Sequence, residues 1–268
     1  VGVIKVWHSG REEFSMLTIE AIKNRVSCRT YKNVPLEESH ERKLKDFFLT
    51  NIQGPFGNRV RFEIVDLAGK EREEIKTLGT YGIIKGASTF IVGTVTKGDR
   101  AMEDYGYCME KNILAATHLG LGTCWLGGTL NRSASASRIH KRDDEVVPAI
   151  TPVGYPKERK SIQDAAIRFL AKSKSRKAWE ELFFCGDERS PLERSVAGAY
   201  AVPLECVRIG PSASNKQPWR VVKEKDKDVF HFYIGRTPGY AAKYPDVGMQ
   251  DIDMGIAMCH FEIALQET

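Results

Sequence analysis

The stretch "PLEESHERKLKDFFLTNIQGP", residues 35–55, is answered late in the chain by "PLERSVAGAYAVPLECVRIGP", residues 191–211. Both open on Pro-Leu-Glu and reach Gly-Pro after the same interval, with no gap. A second echo keeps the same order: "DYGYCMEKNILAATHL", from Asp104, is matched by "DMGIAMCHFEIALQET", from Asp253. Chance likeness between amphipathic helices has no reason to preserve that order, so the chain reads as two degenerate copies of one unit. The copies occupy residues 16–172 and 173–268, and the polar run "AKSKSRK" (171–177) marks the boundary. Residues 1–15, ahead of Met16, lack the apolar centre and small-residue cleavage site of a signal peptide. They carry no patterned element and read as an extension. Compared with the first copy, the second stops in mid-helix, so a longer natural C-terminus is expected.

Around these echoes, apolar periodicity marks helices and strands in alternation. "TIEAIKNR" (18–25) reads as a helix with Thr18 as its cap and Ile19 and Ile22 on one face. "LEESHERKLKDFFLTN" (36–51) reads as a second helix that turns Leu44, Phe47 and Phe48 inward. "VRFEIVDL" (60–67) alternates as a half-buried strand does, while "STFIVGTV" (88–95) has the continuous run of a buried one. In "EDYGYCMEKNILAATHLG" (103–120), Tyr105, Met109, Ile113 and Ala116 share a helical face, and Gly120 can close the helix. A short strand through "PAITPVGYP" (148–156) follows. The second unit ends with the strand "VFHFYIG" (229–235) and another helix. Strands alternating with helices indicate a mixed α/β, or α+β, fold.

The 268 residues are 42% hydrophobic and 28% charged, the balance of a soluble globular chain able to bury a sizeable core. The formal charge of +5 is interspersed rather than blocked, which leans toward a small anionic ligand and gives no support for nucleic acid. Six cysteines show no CxxC or zinc-like spacing, so they are expected as reduced thiols of a cytoplasmic protein. No apolar run approaches the ~20 residues that a membrane helix needs. Serine-hydrolase elbow, Walker loop and paired metal motif are all missing, and no metal is expected. His118 and His260 lie in apolar helices without sequence-local partners, and Cys108, Cys124 and Cys259 lie in apolar surroundings. All five read as packing residues.

Three stretches concentrate groups that can hold a ligand, and the copies have kept different ones. Only the first has "RVSCRTY" (25–31) and "GLGTCWLGG" (120–128); only the second has "GPSASNKQPW" (210–219). Arg25 and Arg29, four apart at a helix end, can reach one anion, with Ser27 between them as a hydroxyl donor. A planar guanidinium can bond two phosphate oxygens at once. The glycines of the second stretch let the backbone pass close to a flat ligand and offer it N–H groups. Singly, each stretch also fits an ordinary role: a solvated helix face, a tight helix-to-strand connection, or a rigid turn leading into "RVV" with Trp219 in the core. Complementary retention instead favours one composite site assembled from both halves.

Taken together, "RVSCRTY", "GPSASNKQPW", "AATHLGLGTCWLGG" and "PVGYP" resemble the nitroreductase family of FMN-dependent oxidoreductases. Ordinary members carry R-x-S-x-R-x-[FY], P-S-x-x-N-x-Q-P-W, G-L-G-T-C-W and G-Y-P in that order in one short subunit. Their subunits interlock as a dimer with flavin between them. Here the P-S-x-x-N element comes last, which resembles the fused two-copy TM nitroreductase branch, where one chain makes a pseudo-dimer. The resemblance covers nearly everything after Met16. It implies that Arg25 and Ser27 hold the phosphate and ribityl end of FMN, with Arg159 as a further cation. Arg29 would meet the pyrimidine edge of the ring and tune its potential. Leu126, Gly127 and Gly128 would lie near the reactive middle of the ring. Pro211, Ser212 and Asn215 would close the site from the second half. Leu-Gly-Gly stands where some relatives place an acidic residue before the glycine, a departure that removes one polar contact.

The implied activity passes electrons from NADH or NADPH, through FMN, to an electron-poor small molecule such as a nitroaromatic or quinone, with no catalytic side chain. Two other readings suit the same resemblance. One is a flavin-binding storage or sensor protein with little turnover; the other is a different flavin reaction, such as reductive dehalogenation or flavin fragmentation. The expected state is a monomer acting as a pseudo-dimer, with one FMN. The pseudo-symmetric site would have to close with "GPFGNRV" (54–60), where Phe56 stands in the place of Ser212, and it lacks the arginine pair. Burying a phosphate unpaired there is too costly for useful affinity.

Overall fold

Thr18 accepts the Ala21 N–H at 3.0 Å and so caps α1 (Ile19–Asn24), satisfying one of the donors that a helix start leaves open. The computed structural model describes residues 2–3, 17–69, 83–128, 130–157, 175–245 and 247–268. In α2 (Glu38–Thr50), Leu44, Phe47 and Phe48 are the buried residues, as their spacing requires. β2 (Val60–Asp66) pairs antiparallel with β3 (Thr89–Thr96), and β3 is buried along almost its whole length. α3 (Ala101–His118) follows, with Tyr105, Met109, Ile113 and Ala116 fully buried. Burial extends well beyond that face, because other elements surround this helix. His118 is different: it sits exposed at the end of α3, so its reading as a packing residue is corrected. Then come β4 (Gly122–Thr123), α4 (Arg132–Arg138), β5 (Glu145–Val146) and β6 (Ile150–Gly154). The first sheet has the order β2-β3-β6-β4, with β5 on β3, and every pairing is antiparallel.

The second half supplies β7 (Phe183–Cys185), α5 (Arg194–Ala197), α6 (Ala201–Ile209), β8 (Trp219–Lys223), β9 (Phe230–Ile234) and α7 (Met249–Glu267). β8 and β9 are antiparallel and β7 joins β8 in parallel. β1 (Gly2–Val3) adds to β9, giving the order β1-β9-β8-β7. This strand lies within residues 1–15, where two paired residues are too few to show a period. The echo of α2 is also interrupted. Gly198, at φ +55°, separates α5 from a short 3-10 turn and α6, and Pro203 falls in the first turn of α6, where no intrahelical N–H bond is lost.

Among the described residues, both halves run helix, strand, strand, helix: α2–β2–β3–α3, then α6–β8–β9–α7. α3 and α7 pack together at the centre, and they cross at two glycines. A Cβ on Gly106 would stand 2.1 Å from the Ile252 carbonyl oxygen, and one on Gly255 would stand 2.0 Å from that of Glu103. The interval from Gly106 to Gly255 is that from Asp104 to Asp253. Each of these aspartates clamps the loop after the Gly-Pro of its own half. Asp104 accepts the Phe56 and Asn58 N–H groups, both at 2.8 Å, and Asp253 accepts that of Ala213 at 2.8 Å. One hydrophobic core runs from Leu44 and Phe47 through α3 to Trp219 and Phe261, shared by both halves, while a second cluster around Phe90 and Ile150 lies within the first. Among the described residues, no helix is long and apolar enough to cross a membrane.

Candidate active site

α1 ends at Asn24, and Arg25 already has extended geometry (φ −61°, ψ 120°). The arginine pair therefore sits on an extended segment, which corrects the helix-face geometry expected for it. Ser27 bridges to Thr123, the Cys28 N–H donates to the Thr123 carbonyl at 2.7 Å, and the Tyr31 N–H donates to that of Lys85 at 2.8 Å. Extended backbone repeats every two residues, so Arg25, Ser27 and Arg29 still share a side. A spacing of four returns to one face in either geometry, and the sequence alone does not distinguish them.

The glycine-rich stretch is fixed by its neighbours. Gly120, at φ +74°, closes α3, and Leu126 exchanges both backbone hydrogen bonds with Ile150 at 2.9 Å. The Leu126 side chain packs in a core cluster with Phe90, Val92 and Ile150. Leu126 thus holds the turn in place from behind. A Cβ on Gly127 would come within 2.6 Å of the Met249 side chain, and one on Gly128 within 2.8 Å of the Tyr244 ring. The two glycines are what allow the second half to approach this closely.

The polar density of "GPSASNKQPW" has a local cause. Ser214, Asn215 and Gln217 all have positive φ (50°, 53° and 47°), which a side chain tolerates only when its surroundings over-determine it. Ser212 Oγ accepts the Gln217 N–H at 2.9 Å, and Gln217 Oε1 accepts the Lys177 N–H at 2.8 Å. Asn215 donates to the Ser175 carbonyl at 2.9 Å and accepts from Arg176 at 3.2 Å. The hydroxyls of Ser214 and Tyr240 meet at 3.1 Å. These short side chains hold the loop as much as they present it.

All three stretches meet around one cavity of about 450 Å³. Its first-half lining includes Arg25, Ser27, Arg29, Trp125, Gly127 and Gly128; the second half supplies Arg176, Pro211, Ser212, Asn215, Tyr240, Tyr244, Met249 and Asp253. Every sequence-predicted residue is in this lining except Leu126, which lies behind it, and Arg159, which falls outside the described residues. The cavity is cationic. Burial, and then the charges of Arg25 and Arg208, lower the proton affinity of Arg176, so cations from both halves converge. Among the described residues, Arg29 Nη1 is buried with no hydrogen-bond partner. Burial pushes the Asp253 carboxyl well above the usual carboxylate range, and among the described residues its Oδ2 has no partner. Burial likewise pushes the Tyr240 hydroxyl up to about 12.

Behind Arg25 lies a buried cluster. The carboxyl of Glu110, on α3, accepts from Trp125 Nε1 at 2.7 Å, meets His260 Nε2 at 2.9 Å and lies 3.7 Å from Arg25 Nε. His260, on α7, also faces the Cys206 carbonyl through Nδ1 at 2.9 Å. It is therefore more than a packing residue. Cys108, Cys124 and Cys259 are buried as their surroundings suggested, and burial pushes the Cys108 and Cys259 thiols up. Sequence reasoning also missed Arg176, Tyr240 and Tyr244. Arg176 is one cation in a polar run, and neither tyrosine belongs to a motif.

A second cavity, of about 630 Å³, lies where the internal echoes place the counterpart of the first. Phe56 lines it in the place of Ser212, and Glu103 in the place of Ile252. Its arginines are engaged: Arg236 holds Asp251 at 2.7 and 3.2 Å, and Arg100 lies over the Phe56 ring at 5.4 Å and 3.5 Å from Glu103. Glu103, only 7% exposed, adds a carboxyl that burial pushes up.

Comparison with known proteins gives no match among curated sequences. Among solved structures, the chain is similar to a "putative nitroreductase" from Thermotoga maritima, at 20% identity and a TM-score of 0.58, over 99% of this chain and 90% of that one. An "FMN-dependent Nitroreductase" from Clostridium difficile matches at 23% identity and a TM-score of 0.42, over 54% of this chain and 90% of that one. A Desulfovibrio desulfuricans protein, a "putative nitroreductase in complex with fmn", matches at 20% identity and a TM-score of 0.43, over 59% of this chain and 96% of that one. The sequence pattern of the family described as "Putative TM nitroreductase" matches residues 18–265, and the chain belongs to that family.

Proposed function

We propose that this chain is an FMN-dependent oxidoreductase that takes electrons from NADH or NADPH and delivers them to an electron-poor small acceptor of nitroaromatic or quinone type. Its two halves act as a fused pseudo-dimer, so the working unit is a monomer. The observation that carries the reading is the convergence of three motifs, from both halves, on one cationic cavity. The residues present suit FMN. Among the described residues Arg29 Nη1 is a buried donor without a partner, and Gly127 and Gly128 put bare backbone on the cavity wall. The six cysteines are free, which suits a reducing cytoplasmic setting.

When bound, FMN supplies the electron-transfer chemistry, and the protein supplies binding, orientation and electrostatics. Arg25, Ser27 and Arg176 would hold the phosphate and ribityl end, where charge-assisted bonds are strongest. Arg29 would place a fixed positive charge and a donor at the pyrimidine edge of the ring, favouring negative charge there. Gly127 and Gly128 would let the ring pass the backbone. Pro211, Ser212 and Asn215, with Tyr240 and Tyr244, would close the cavity from the second half and exclude water.

Purified protein is expected to be yellow, to release FMN on denaturation, and to oxidise NADH or NADPH when menadione or a nitrofuran is supplied. Bound FMN without acceptor-dependent oxidation would move the protein to a storage or sensor role. A chain that takes up no FMN would overturn the proposal.

A further inference from the structure

Glu110 and His260 come from different halves, are both fully buried, and meet at 2.9 Å directly behind Arg25. Counting donors and acceptors fixes how many protons they share. A carbonyl only accepts, so His260 Nδ1, facing the Cys206 carbonyl at 2.9 Å, carries a proton. Nε2 faces a carboxyl oxygen, so one more proton must lie between the two groups. It sits either on Nε2, giving imidazolium and carboxylate, or on Glu110. The Trp125 N–H donates to the other carboxyl oxygen, and the Arg25 guanidinium stands 3.7 Å away. Both favour the carboxylate. The neighbouring Cys259 thiol, with Lys111 and Glu262 near it, is kept neutral by burial and adds no charge.

We infer that His260 is a positioning residue whose imidazolium neutralises Glu110, so that the carboxylate orients Arg25 without cancelling its charge toward the ligand. The inference rests on the reading that Arg25 meets the FMN phosphate. Arg25, Glu110 and His260 together then carry one net positive charge. Without the imidazolium, Arg25 and Glu110 would form a closed neutral pair, and the phosphate would face little net attraction. The second half of the chain thus sets the charge of a binding group that belongs to the first.

The test compares FMN with riboflavin, which lacks the phosphate, by fluorescence titration. Wild-type protein is expected to prefer FMN. His260→Phe should lower FMN affinity by about tenfold or more and leave riboflavin affinity unchanged. Glu110→Gln should keep the preference, because the amide can accept from Trp125 and donate to a neutral His260. Adding Glu110→Gln to His260→Phe should restore the preference, since no carboxylate remains to claim Arg25. Nitrogen NMR of the ligand-free protein should show two ring N–H groups on His260 in the wild type and one in Glu110→Gln. An unchanged FMN-to-riboflavin ratio in His260→Phe, or a single ring N–H in the wild type, would overturn the inference. A wild type that does not prefer FMN would instead defeat the phosphate role of Arg25, and the NMR would still decide the charge of the pair.

Discussion

Arg25 and Arg29 share a segment but differ in what surrounds them, and their substitutions should differ accordingly. Arg25→Ala removes a buried cation of the cavity wall and, on the proposed role at the phosphate, should weaken FMN binding by roughly 1.5–3 kcal/mol, read by flavin titration. Arg29→Ala should act mainly on turnover and on the flavin potential, and an unchanged potential would remove it from the ring. Gly128→Ala sets a Cβ 2.8 Å from the Tyr244 ring. It should reduce FMN affinity, and shortening the opposing side chain with Tyr244→Ala should recover part of the loss. At this scale the sequence was informative where a motif imposed spacing: Arg25, Ser27, Arg29, Ser212 and Asn215 all line the cavity. It was silent on Arg176, Tyr240 and Tyr244, which only the chain path brings in. Leu126 lies behind the lining that its motif neighbours form, and its pairing with Ile150, being non-local, left no trace in the motif.

The elements away from the cavity make their own demands. Arg61, on β2, grips Glu145, on β5, through two hydrogen bonds at 2.9 and 2.8 Å. Burial raises the proton affinity of Glu145, but Arg61 and the Arg142 N–H outweigh it and hold the carboxyl at about 2. The folded value lies below the unfolded one, so the stabilisation is present above about pH 4.5 and is lost as the pH falls toward 2. Glu145→Gln should therefore lower stability by roughly 2–3 kcal/mol near neutral pH. In urea melts its deficit should shrink through that window, and a pH-independent deficit would contradict the assignment. Gly255→Val should cost more, because its Cβ would strike backbone of α3 at 2.0 Å, where neither helix can yield by a rotamer change. The helices themselves were legible: α1, α2 and α3 follow their apolar spacing, and α1 its Thr18 cap. β1 and the division of α5 from α6 were not, because one is two residues long and the other depends on Gly198 adopting positive φ.

Over the whole molecule, one core spans both halves, and the candidate site is built where they meet. The complementary motifs made a composite site legible from sequence, although the buried Glu110–His260 contact that joins the halves behind it was not, since partners 150 residues apart leave no local trace. A fragment ending near Lys172 should bind no FMN, because it lacks Pro211, Ser212, Asn215, the tyrosines and His260; tight binding by that fragment would remove the second half from the site. The counterpart cavity offers Glu103 and already paired arginines where a phosphate would need uncompensated cations. The two cavities should therefore differ in kind, one taking flavin and the other not. The most direct measurement is the stoichiometry of FMN titrated into the flavin-free chain, with the mass of the complex determined in the same sample. Saturation at one FMN per monomeric chain is the expected result; saturation at two per chain, or no saturable binding, would contradict the composite single-site account.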